Sequence, residues 1–575
     1  MKTATALLLA FGLLVLAPSS VATQTDLGVA SKNGVVVSSS DLAAETGAMI
    51  LTKGGNAVDA AVATAFAMAV TSPSNGNIGG GGFMVVRTAT GAATTFDYRE
   101  MAPGKSTPTM YLNANGDIDM SLTQQGYLAP GVPGTVRGLA MAHKRFGKLP
   151  WKDVVMPAAE LAGKGFKLSK SLAAGLNSEI RGRMKPFPAS VAAYGKPGGG
   201  EWAEGDTIVL GDLSKTLTAI ATEGADVFYT GWIADRIAED MAANKGLITK
   251  QDLANYVAKE RAPIKGSFNG FDIVSMPPPS SGGIALVEML NMLEAMNLPK
   301  EDRHSAKAIA MIVEAQRRAY LDRARFVGDT DFVQVPIDTL ISKSHAKELI
   351  ATVTPGKASS SAELGKDILA AGKLPADESM ETTHFSVVDK DGMAVSNTFT
   401  LEGGYGSHVV IKGTGMILNN EMGDFNKKPG LTNTTGTIGT PANVIAPGKR
   451  MLSSMTPVII SKGGKLVLVT GSPGGRTIIN TVLHVVLGVT AWNLTGRDAV
   501  DLPRWDHEWM PDRVTFEANA ISDKTMAELK AMGYDVVQRG EQGSAQSVWM
   551  HPQTGTAFGL ADLRSPDAKA AKGGS

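Results

Sequence analysis

Residues 381–392 read Glu381-Thr382-Thr383-His384-Phe385-Ser386-Val387-Val388-Asp389-Lys390-Asp391-Gly392, and the organisation of the chain is best understood from them. Alternating side chains run into an Asp-Gly turn, and a second alternating run, from Met393 to Leu401, leaves it. This pattern predicts a β-hairpin. Pairing across the turn places Thr400 opposite Thr382, to within about one residue. Taken alone, two threonines at neighbouring strand positions are also ordinary β-branched strand residues.

Composition narrows the range of functions. The chain has 575 residues and no cysteine, which excludes disulfides, a thiolate nucleophile and thiolate metal sites. Basic and acidic residues balance at 55 each, so no electrostatic argument favours binding to nucleic acid or to an anionic surface. We find no Pro/Ser-rich linker, charge block or repeat, and this favours one large globular unit over several domains.

The N-terminal segment has the features of a secretory signal. Lys2 precedes an uncharged run from Thr3 to Ala17, and the small residues Ser20-Val21-Ala22 follow. This pattern predicts a signal peptide over residues 1–22, because the apolar run is too short to span a bilayer comfortably. The later apolar run 478–492 is also short. We therefore predict a periplasmic or secreted protein with no membrane anchor after signal removal.

Near the start of the mature chain, two helices precede a glycine-rich strand. Asp41 to Lys53 is predicted as a helix with Ser40 or Asp41 as its cap, and apolar residues between 58 and 70 predict a second helix. Gly79 to Gly82 then leads into a strand. A glycine run before a strand does not fit a dinucleotide-binding loop, and it suits close backbone approach instead.

A second glycine turn follows the predicted strand Lys465 to Thr470. The turn, Gly471-Ser472-Pro473-Gly474-Gly475, lacks the Lys-Ser/Thr pair of a P-loop, and a helix is predicted from Thr477 to Trp492. The turn therefore places bare N–H groups at a helix start, where the backbone dipole favours negative charge. Such an arrangement can serve as an oxyanion hole.

The eight histidines do not cluster as metal ligands in the sequence. His384 lies two residues from Thr382, but no carboxylate that could orient it is evident. We therefore predict no metal site, no cofactor and no Ser-His-Asp constellation.

Several segments together resemble the γ-glutamyltranspeptidases (glutathione hydrolases), and their order and spacing match as well. They are Glu381-Thr382-Thr383, Asn419-Asn420-Glu421-Met422-Gly423-Asp424-Phe425, Leu452-Ser453-Ser454-Met455, Gly471-Ser472-Pro473-Gly474-Gly475, Thr95-Phe96-Asp97-Tyr98-Arg99-Glu100, Pro130-Gly131-Val132-Pro133-Gly134, Met276-Pro277-Pro278-Pro279-Ser280-Ser281-Gly282-Gly283 and Asn77-Ile78-Gly79-Gly80-Gly81-Gly82-Phe83. The resemblance covers nearly the whole mature chain.

The resemblance implies an α+β fold, the four-layer αββα sandwich of the N-terminal nucleophile hydrolases. It also implies autoproteolysis between Glu381 and Thr382. A large chain, 23–381, and a small chain, 382–575, would then form a heterodimer that folds as one domain. The polar, Ala/Ser-rich stretch 343–381 suits a mobile end that the cut releases.

The resemblance also assigns the site. Thr382 would be the nucleophile, and its freed α-amine, with an ordinary pKa of about 7.7–8.0, would be the base. Thr400 would orient Thr382, while Gly474 and Gly475 would stabilise the oxyanion. The substrate-binding residues would be Arg99, Ser453 and Ser454 at the α-carboxylate, and Glu402, Glu421 and Asp424 at the α-ammonium.

The implied activity is that of a γ-glutamyltransferase and glutathione hydrolase. Glutathione and other γ-glutamyl compounds would be the donors, and water, amino acids or peptides the acceptors. One alternative is a sibling amidase such as a glutaryl or cephalosporin acylase. Another is a non-catalytic periplasmic binding protein that keeps the pocket.

The sequence departs from the resembling family at three places. Glu402 stands where many relatives carry Asn, and this leaves acceptor use open. Thr435 lies in the part of a loop where some bacterial relatives place a Tyr lid, so we expect looser cover. Asp562-Leu563-Arg564 replaces a common Asp-Pro-Arg, which we expect to be structural.

Overall fold

The computed structural model describes residues 27–371 and 381–574. The predicted signal peptide lies outside the described residues. The strands are β1 (Val29–Ser31), β2 (Gly34–Ser38), β3 (Gly81–Arg87), β4 (Ala93–Asp97), β5 (Phe166–Lys167), β6 (Thr207–Ile208), β7 (Lys259–Arg261), β8 (Ile264–Phe268), β9 (Phe271–Ser275), β10 (Thr383–Asp389), β11 (Ala394–Thr400), β12 (Val458–Lys462), β13 (Lys465–Thr470), β14 (Trp505–Asp506), β15 (Val514–Phe516), β16 (Val536–Gln538), β17 (Ser547–Met550), β18 (Ala557–Leu560) and β19 (Lys569–Lys572).

Besides short 3₁₀ helices at Leu298–Lys300, Glu421–Asp424 and Pro441–Asn443, the described residues form α-helices. They are α1 (Asp41–Thr52), α2 (Ala57–Thr71), α3 (Ser121–Gln124), α4 (Thr135–Phe146), α5 (Trp151–Lys164), α6 (Lys170–Arg181), α7 (Pro188–Tyr194), α8 (Gly211–Glu223), α9 (Asp226–Tyr229), α10 (Trp232–Ala243), α11 (Lys250–Asn255), α12 (Gly282–Ala295), α13 (Ala306–Phe326), α14 (Ile337–Leu340), α15 (Lys343–Ile350), α16 (Ser361–Leu364), α17 (Thr477–Thr490), α18 (Gly496–Asp501) and α19 (Asp523–Ala531).

The predicted hairpin lies at the centre of a seven-stranded sheet. Its strands β10 and β11 pair antiparallel around a turn in which Gly392 has a φ of +88°. The sheet order is β19-β2-β10-β11-β3-β4-β7. Strands from both ends of the chain thus flank the hairpin, so the regions before and after residue 381 share one sheet.

A second seven-stranded sheet, in the order β1-β18-β17-β13-β12-β9-β8, packs against the first. Apolar side chains from facing strands form the core between the sheets, including Val35 and Val37 from β2 and Ile459 from β12. Val36, between the two β2 valines, points the other way and belongs to a different cluster. This alternation is the period of two that a strand imposes.

Helices cover both outer faces and complete four αββα layers. α1 and α2 pack on the hairpin sheet, and α12, α13 and α17 pack on the other. The predicted first helix is confirmed, and the side chain of Ser40 caps it by accepting from the N–H of Ala43. The predicted fold class is therefore confirmed.

Between 343 and 381 the structure is more ordered than the sequence suggests. Two helices form there, α15 and α16, and α15 packs against α12. The remainder, residues 372–380, lies outside the described residues, so the predicted mobile end is not tested at that point. In the described ranges no helix is both long enough and apolar enough to cross a membrane.

Candidate active site

The two threonines meet at the open end of the hairpin. β10 and β11 pair Thr383 with Phe399, and one further step in the same register sets Thr382 opposite Thr400. The Thr382 hydroxyl donates a hydrogen bond to the carbonyl oxygen of Glu381, the residue before it. The hydroxyl therefore lies beside the peptide group that self-cleavage would attack.

Two asparagines near the first glycine run hold Thr400 in place. Asn77 donates from Nδ2 to the carbonyl of Thr400 at 2.8 Å, and Asn75 Oδ1 lies 3.5 Å from the Thr400 hydroxyl. Asn75 also donates from Nδ2 to the Glu381 carboxylate at 3.1 Å. A Cβ on Gly80 would come within 2.1 Å of the Thr400 carbonyl. Only glycine permits this approach, as the sequence predicts.

The second glycine turn lies at the start of α17. Gly474 and Gly475 have φ values of +131° and +55°, in the region that L side chains avoid. The carbonyl of Gly474 accepts from the backbone N–H of Thr477 at 3.0 Å and from its hydroxyl at 2.8 Å. These bonds fix the turn against the first turn of the helix.

A buried arginine is the electrostatic centre of the site. Arg99 is fully buried, and its guanidinium donates to the carboxylates of Glu421 and Asp424. It also donates to the carbonyls of Met451 and Leu452 at 3.3 and 3.2 Å. Two prongs therefore contact two carboxylates, the geometry for which a planar guanidinium is suited.

A third carboxylate lies behind this arginine. Glu100 is completely buried, and its Oε2 lies 3.6 Å from Arg99 Nη1. Burial raises the pKa of Glu100 to about 7, although the charge of Arg99 lowers it. Burial also raises the pKa of Glu421, and the carboxylates of Glu100 and Asp424 raise it further. Burial alone would lower the pKa of Arg99, but the carboxylates outweigh it, so Arg99 keeps its charge.

Asn419 positions the turn that carries Glu421 and Asp424. Its Oδ1 accepts from the N–H groups of Gly131 and Glu421 at 2.8 and 3.0 Å. Its Nδ2 donates to the carbonyls of Gly79 and Gly131, both at 2.8 Å. One amide thus joins three of the segments that carry the family resemblance.

The paired serines are held by the polyproline segment and by an arginine that sequence reasoning missed. The N–H of Ser453 donates to the carbonyl of Pro279 at 3.0 Å. Arg323 on α13 donates from Nη2 to the hydroxyl of Ser454 and from Nε to that of Ser281, both at 2.9 Å. Arg323 is nine-tenths buried, and its place on a long amphipathic helix gave no motif that could reveal it.

Glu402 adopts a strained backbone conformation next to Thr400. Its φ is +77°, where Asn and Gly are far more common than Glu. Its N–H donates to the Thr400 hydroxyl at 2.8 Å, and its carboxylate accepts from the side chain of Asn420.

His384 is a structural residue. It is fully buried, and its ring nitrogens lie 2.8 Å from the Thr398 hydroxyl and 3.0 Å from that of Ser386. Burial lowers the pKa of His384 to about 3, so the ring is neutral. A Cβ on Gly471 would collide with the ring, which explains that glycine.

Most of the predicted site residues border one small pocket, with a cavity volume of about 50 Å³. Its lining includes Arg99, Glu381, Thr382, Thr400, Glu402, Glu421, Asp424, Ser453, Ser454 and Gly475. Arg323, Leu452, Met455 and Ile478 complete the lining, and Gly474 lies one residue outside it. Residues from distant parts of the sequence therefore converge on Thr382.

The other two departures lie away from this pocket. Thr435 is exposed and donates to Asn433 Oδ1 at 2.8 Å. Asp562 forms a fully buried ion pair with Arg504 at 2.6 Å, whereas Leu563 is 79% exposed. Leu563 therefore occupies a surface position where a proline is not needed to hold the turn.

An αββα sandwich with a threonine at the open end of a central strand defines the class of N-terminal nucleophile hydrolases. Within that class, the chain belongs to the γ-glutamyltranspeptidase family, whose model matches residues 43–572. The chain is 44% identical to the glutathione hydrolase proenzyme of Escherichia coli K12 over 539 residues, which cover 94% of this chain and 92% of that protein.

Two solved structures bear out the architecture. Cephalosporin acylase from Bacillus halodurans superposes with a TM-score of 0.82 at 25% identity, covering 95% of this chain and 97% of that one. The γ-glutamyltranspeptidase of Helicobacter pylori gives a TM-score of 0.54 at 44% identity, covering 56% of this chain and 91% of that one.

Proposed function

We propose that this protein is an autoprocessing γ-glutamyltransferase and glutathione hydrolase that acts through a γ-glutamyl ester on Thr382. The single observation that carries the proposal is the meeting of two features in one pocket. The Thr382 hydroxyl lies against the carbonyl of Glu381, and the same pocket holds a buried arginine between carboxylates. The contact between Thr382 and Glu381 suits self-cleavage. The arginine between carboxylates suits binding of the α-amino and α-carboxylate groups of a γ-glutamyl donor.

Maturation begins with attack of the Thr382 hydroxyl on the carbonyl carbon of Glu381. The C–N bond breaks, the proton moves to the departing nitrogen, and an ester joins Glu381 to the threonine oxygen. Water hydrolyses this ester and leaves a carboxylate on Glu381 and a free α-amine on Thr382. That amine has an ordinary pKa of about 7.7–8.0 and is suited to take the hydroxyl proton in later turnovers.

In turnover the Thr382 hydroxyl attacks the γ-carbonyl of the donor. The Thr400 hydroxyl accepts a hydrogen bond from the N–H of Glu402 at 2.8 Å and donates a long one, 3.5 Å, to Asn75 Oδ1, and these contacts would hold it in place to orient the nucleophile. Gly475 borders the pocket at the start of α17, where N–H groups of Gly474 and Gly475 would stabilise the oxyanion. The acyl group then passes to water or to the amine of an amino acid or peptide.

The donor's α-amino acid end would be bound by exchange of ion-pair partners. Its α-carboxylate would take one prong of Arg99, together with the hydroxyls of Ser453 and Ser454. Its α-ammonium would take the carboxylates that Arg99 gives up, Glu421 and Asp424, with Glu402 nearby. No buried charge is then left unpaired, and such a charge would cost several kcal/mol.

The chain boundaries and the location follow from the same scheme. Residues 1–22 are a signal peptide, 23–381 the large chain and 382–575 the small chain of a heterodimer. Support for one shared domain comes from the hairpin sheet, in which β2 and β3 of the large chain flank β10 and β11 of the small chain. The enzyme would act in the periplasm or outside the cell.

A sibling acylase remains the second candidate, and the superposition on cephalosporin acylase favours it. A glutaryl group has no α-ammonium, however, and would leave Glu421 and Asp424 without a cation. The third reading, a non-catalytic binding protein, gives no role to the contact between Thr382 and Glu381.

The proposal is tested by N-terminal sequencing of the purified protein together with assay of a γ-glutamyl anilide. We expect a small chain that begins at Thr382, and activity that appears with it. A single uncleaved chain that still hydrolyses the anilide would contradict the proposed nucleophile.

A further inference from the structure

Three ionisable side chains converge where helices α12, α13 and α15 pack together, and none of them belongs to the pocket lining. Glu288 lies on α12, Asp322 on α13 and His345 on α15. One ligand atom from each lies within 4.8 Å of the other two. His345 Nε2 is 2.7 Å from Asp322 Oδ2 and 3.9 Å from Glu288 Oε1. Each of three separate helices thus contributes one side chain to the cluster, two of them a carboxylate and one an imidazole.

Two of these groups are buried carboxylates, and one oxygen of Glu288 is left without a hydrogen bond within the described part of the chain. Glu288 is 1% exposed and Asp322 3%. Oε1 of Glu288 accepts no hydrogen bond from any residue in 27–371 or 381–574, although it points at the imidazole. Arg325 Nη1 lies 3.7 Å from Asp322 Oδ1, but its other prong is bound to Asp367. A buried, unpartnered carboxylate oxygen is costly unless a cation or proton neutralises it.

The carboxylate oxygens of Glu288 and Asp322 lie within 4.8 Å of each other in a buried position, so the two groups repel each other when both are ionised. A divalent cation between them would remove this repulsion and pair the free oxygen at the same time.

We propose that Glu288, Asp322 and His345 form a binding site for one divalent transition-metal ion of the Zn²⁺ class. One imidazole nitrogen and two carboxylate oxygens are ligands that Zn²⁺ accepts, and three protein ligands leave a fourth position for water. The His345 side chain is 17% exposed, which provides a path for entry from solvent. The site would tie α15 to α12 and α13.

The second ring nitrogen of His345, Nδ1, has a carboxylate near it, as is common for histidines that bind a metal ion. Nδ1 lies 3.8 Å from a carboxylate oxygen of Glu348, one turn along the same helix. Metal-bound histidines commonly present the second nitrogen to a carboxylate, which orients the ring and makes it more basic. The sequence did not reveal the cluster because its members are far apart in the chain, and the prediction of no metal site rested on spacing alone.

The test uses the full mature protein without a polyhistidine tag, stripped with EDTA and then freed of it. Zn²⁺ is titrated by calorimetry, and Co²⁺ is titrated by visible absorption. We expect one equivalent of each metal to bind, with intense Co²⁺ bands typical of low coordination and a melting temperature that rises with Zn²⁺ concentration. Absence of saturable binding in the wild type would overturn the proposal, and a shared proton would then account for the pair.

Variants locate the binding. His345→Gln and Glu288→Gln should each weaken Zn²⁺ binding by at least about 10-fold, since even outer partners of a metal site matter that much. Glu294→Gln on the same helix and His304→Gln at the exposed start of α13 are matched controls and should bind as the wild type does. Binding that survives both site variants, or that is lost with His304→Gln, would place the metal elsewhere. The wild-type titration decides the matter even if a site variant does not fold.

Discussion

Arg99 and Glu421 form a fully buried ion pair at the centre of the candidate active site. Asp424 occupies the other prong of the same guanidinium. Arg99 thus already has carboxylate partners from the protein before any donor arrives. A donor that carries both an α-carboxylate and an α-ammonium can pair with Arg99 through the carboxylate and with the acidic side chains through the ammonium. No buried charge is then left without a partner. A donor with only one of these charges cannot make both contacts.

Replacement of Arg99 by Lys tests the two-pronged contact. Lysine keeps the charge but contacts only one partner well, so one carboxylate loses its pair. We expect kcat/KM for a γ-glutamyl anilide to fall roughly 10- to 100-fold, mainly through KM, while self-cleavage continues. Arg236→Lys, in an exposed ion pair with Glu239, is the control. Unchanged kcat and KM in Arg99→Lys would remove this residue from the site.

The second prediction concerns Thr382, the proposed nucleophile of self-cleavage. At 59.9 kDa for 575 residues, cleavage before Thr382 and loss of residues 1–22 should yield chains of roughly 37 and 20 kDa. Thr382→Ala has no hydroxyl and should remain one inactive band on a denaturing gel. Thr383→Ala, whose hydroxyl contacts Ser39 at 2.7 Å, is the neighbouring control and should still be cut. Cleavage of Thr382→Ala at the same bond would mean that another group attacks it.

Arg323 should act on the donor through Ser454, as a positioning residue. Arg323→Lys loses the fork that joins Ser454 and Ser281, and Ser454→Ala removes one of its acceptors. We expect each variant to raise KM several-fold with a smaller change in kcat. Because both remove the same contact, the double variant should be affected less than the product of the single effects. Strictly multiplicative effects would show that the two residues act independently.

Glu100 gives a prediction about pH. Its pKa in the folded protein is about 7, above its ordinary value of 4.5, so folding favours the protonated form. The associated stability is fully present below about pH 4.5 and is lost as the pH rises through 7. Glu100→Gln cannot ionise, so its melting temperature should fall less between pH 5 and pH 8 than that of the wild type. The exposed Glu363→Gln should behave as the wild type. Parallel curves for all three proteins would show that Glu100 is not the titrating group.

Local patterns were enough to predict the hairpin, its register and the glycine turns. The alternation of side chains and the Asp-Gly turn determine which residue lies opposite Thr382. A shift of the strand pairing by one residue would move each side chain to the other face of the sheet, which fixes the register. The sequence offers Ser40 or Asp41 as the cap of the first helix, and in the structure it is Ser40 whose hydroxyl accepts from a backbone N–H of the same segment.

Contacts between segments that are distant in the sequence could not be predicted from local patterns. Arg323 reaches Ser454 only because helix α13 packs beside the serine segment, and no neighbour in the sequence signals this contact. Glu100 lies in the segment Thr95–Glu100 that carries the resemblance, but its burial beside the Arg99 guanidinium is evident only in the fold. The assignment of Arg99 to the α-carboxylate, and of Glu421 to the α-ammonium, likewise gave no sign that the two pair with each other.

The choice of donor separates the transpeptidase from the sibling acylase. A γ-glutamyl donor offers an α-ammonium to the carboxylates of Glu402, Glu421 and Asp424, whereas a glutaryl donor offers only hydrogens there. Loss of one hydrogen bond to a charged group costs about 1.5–3 kcal/mol, or roughly 10- to 100-fold in kcat/KM. We expect that preference for γ-glutamyl over glutaryl anilide in the wild type.

Asp424→Asn should weaken this preference most, because Asp424 is the more exposed of the two carboxylates that hold Arg99 and can turn towards the ammonium. Glu402→Gln should weaken it less, since the Glu402 carboxylate is already bound by Asn420. The measurement is kcat/KM for both anilides on the wild type and both variants, after each has been shown to be cleaved. Equal rates on the two donors, or a preference for glutaryl, would favour the acylase assignment.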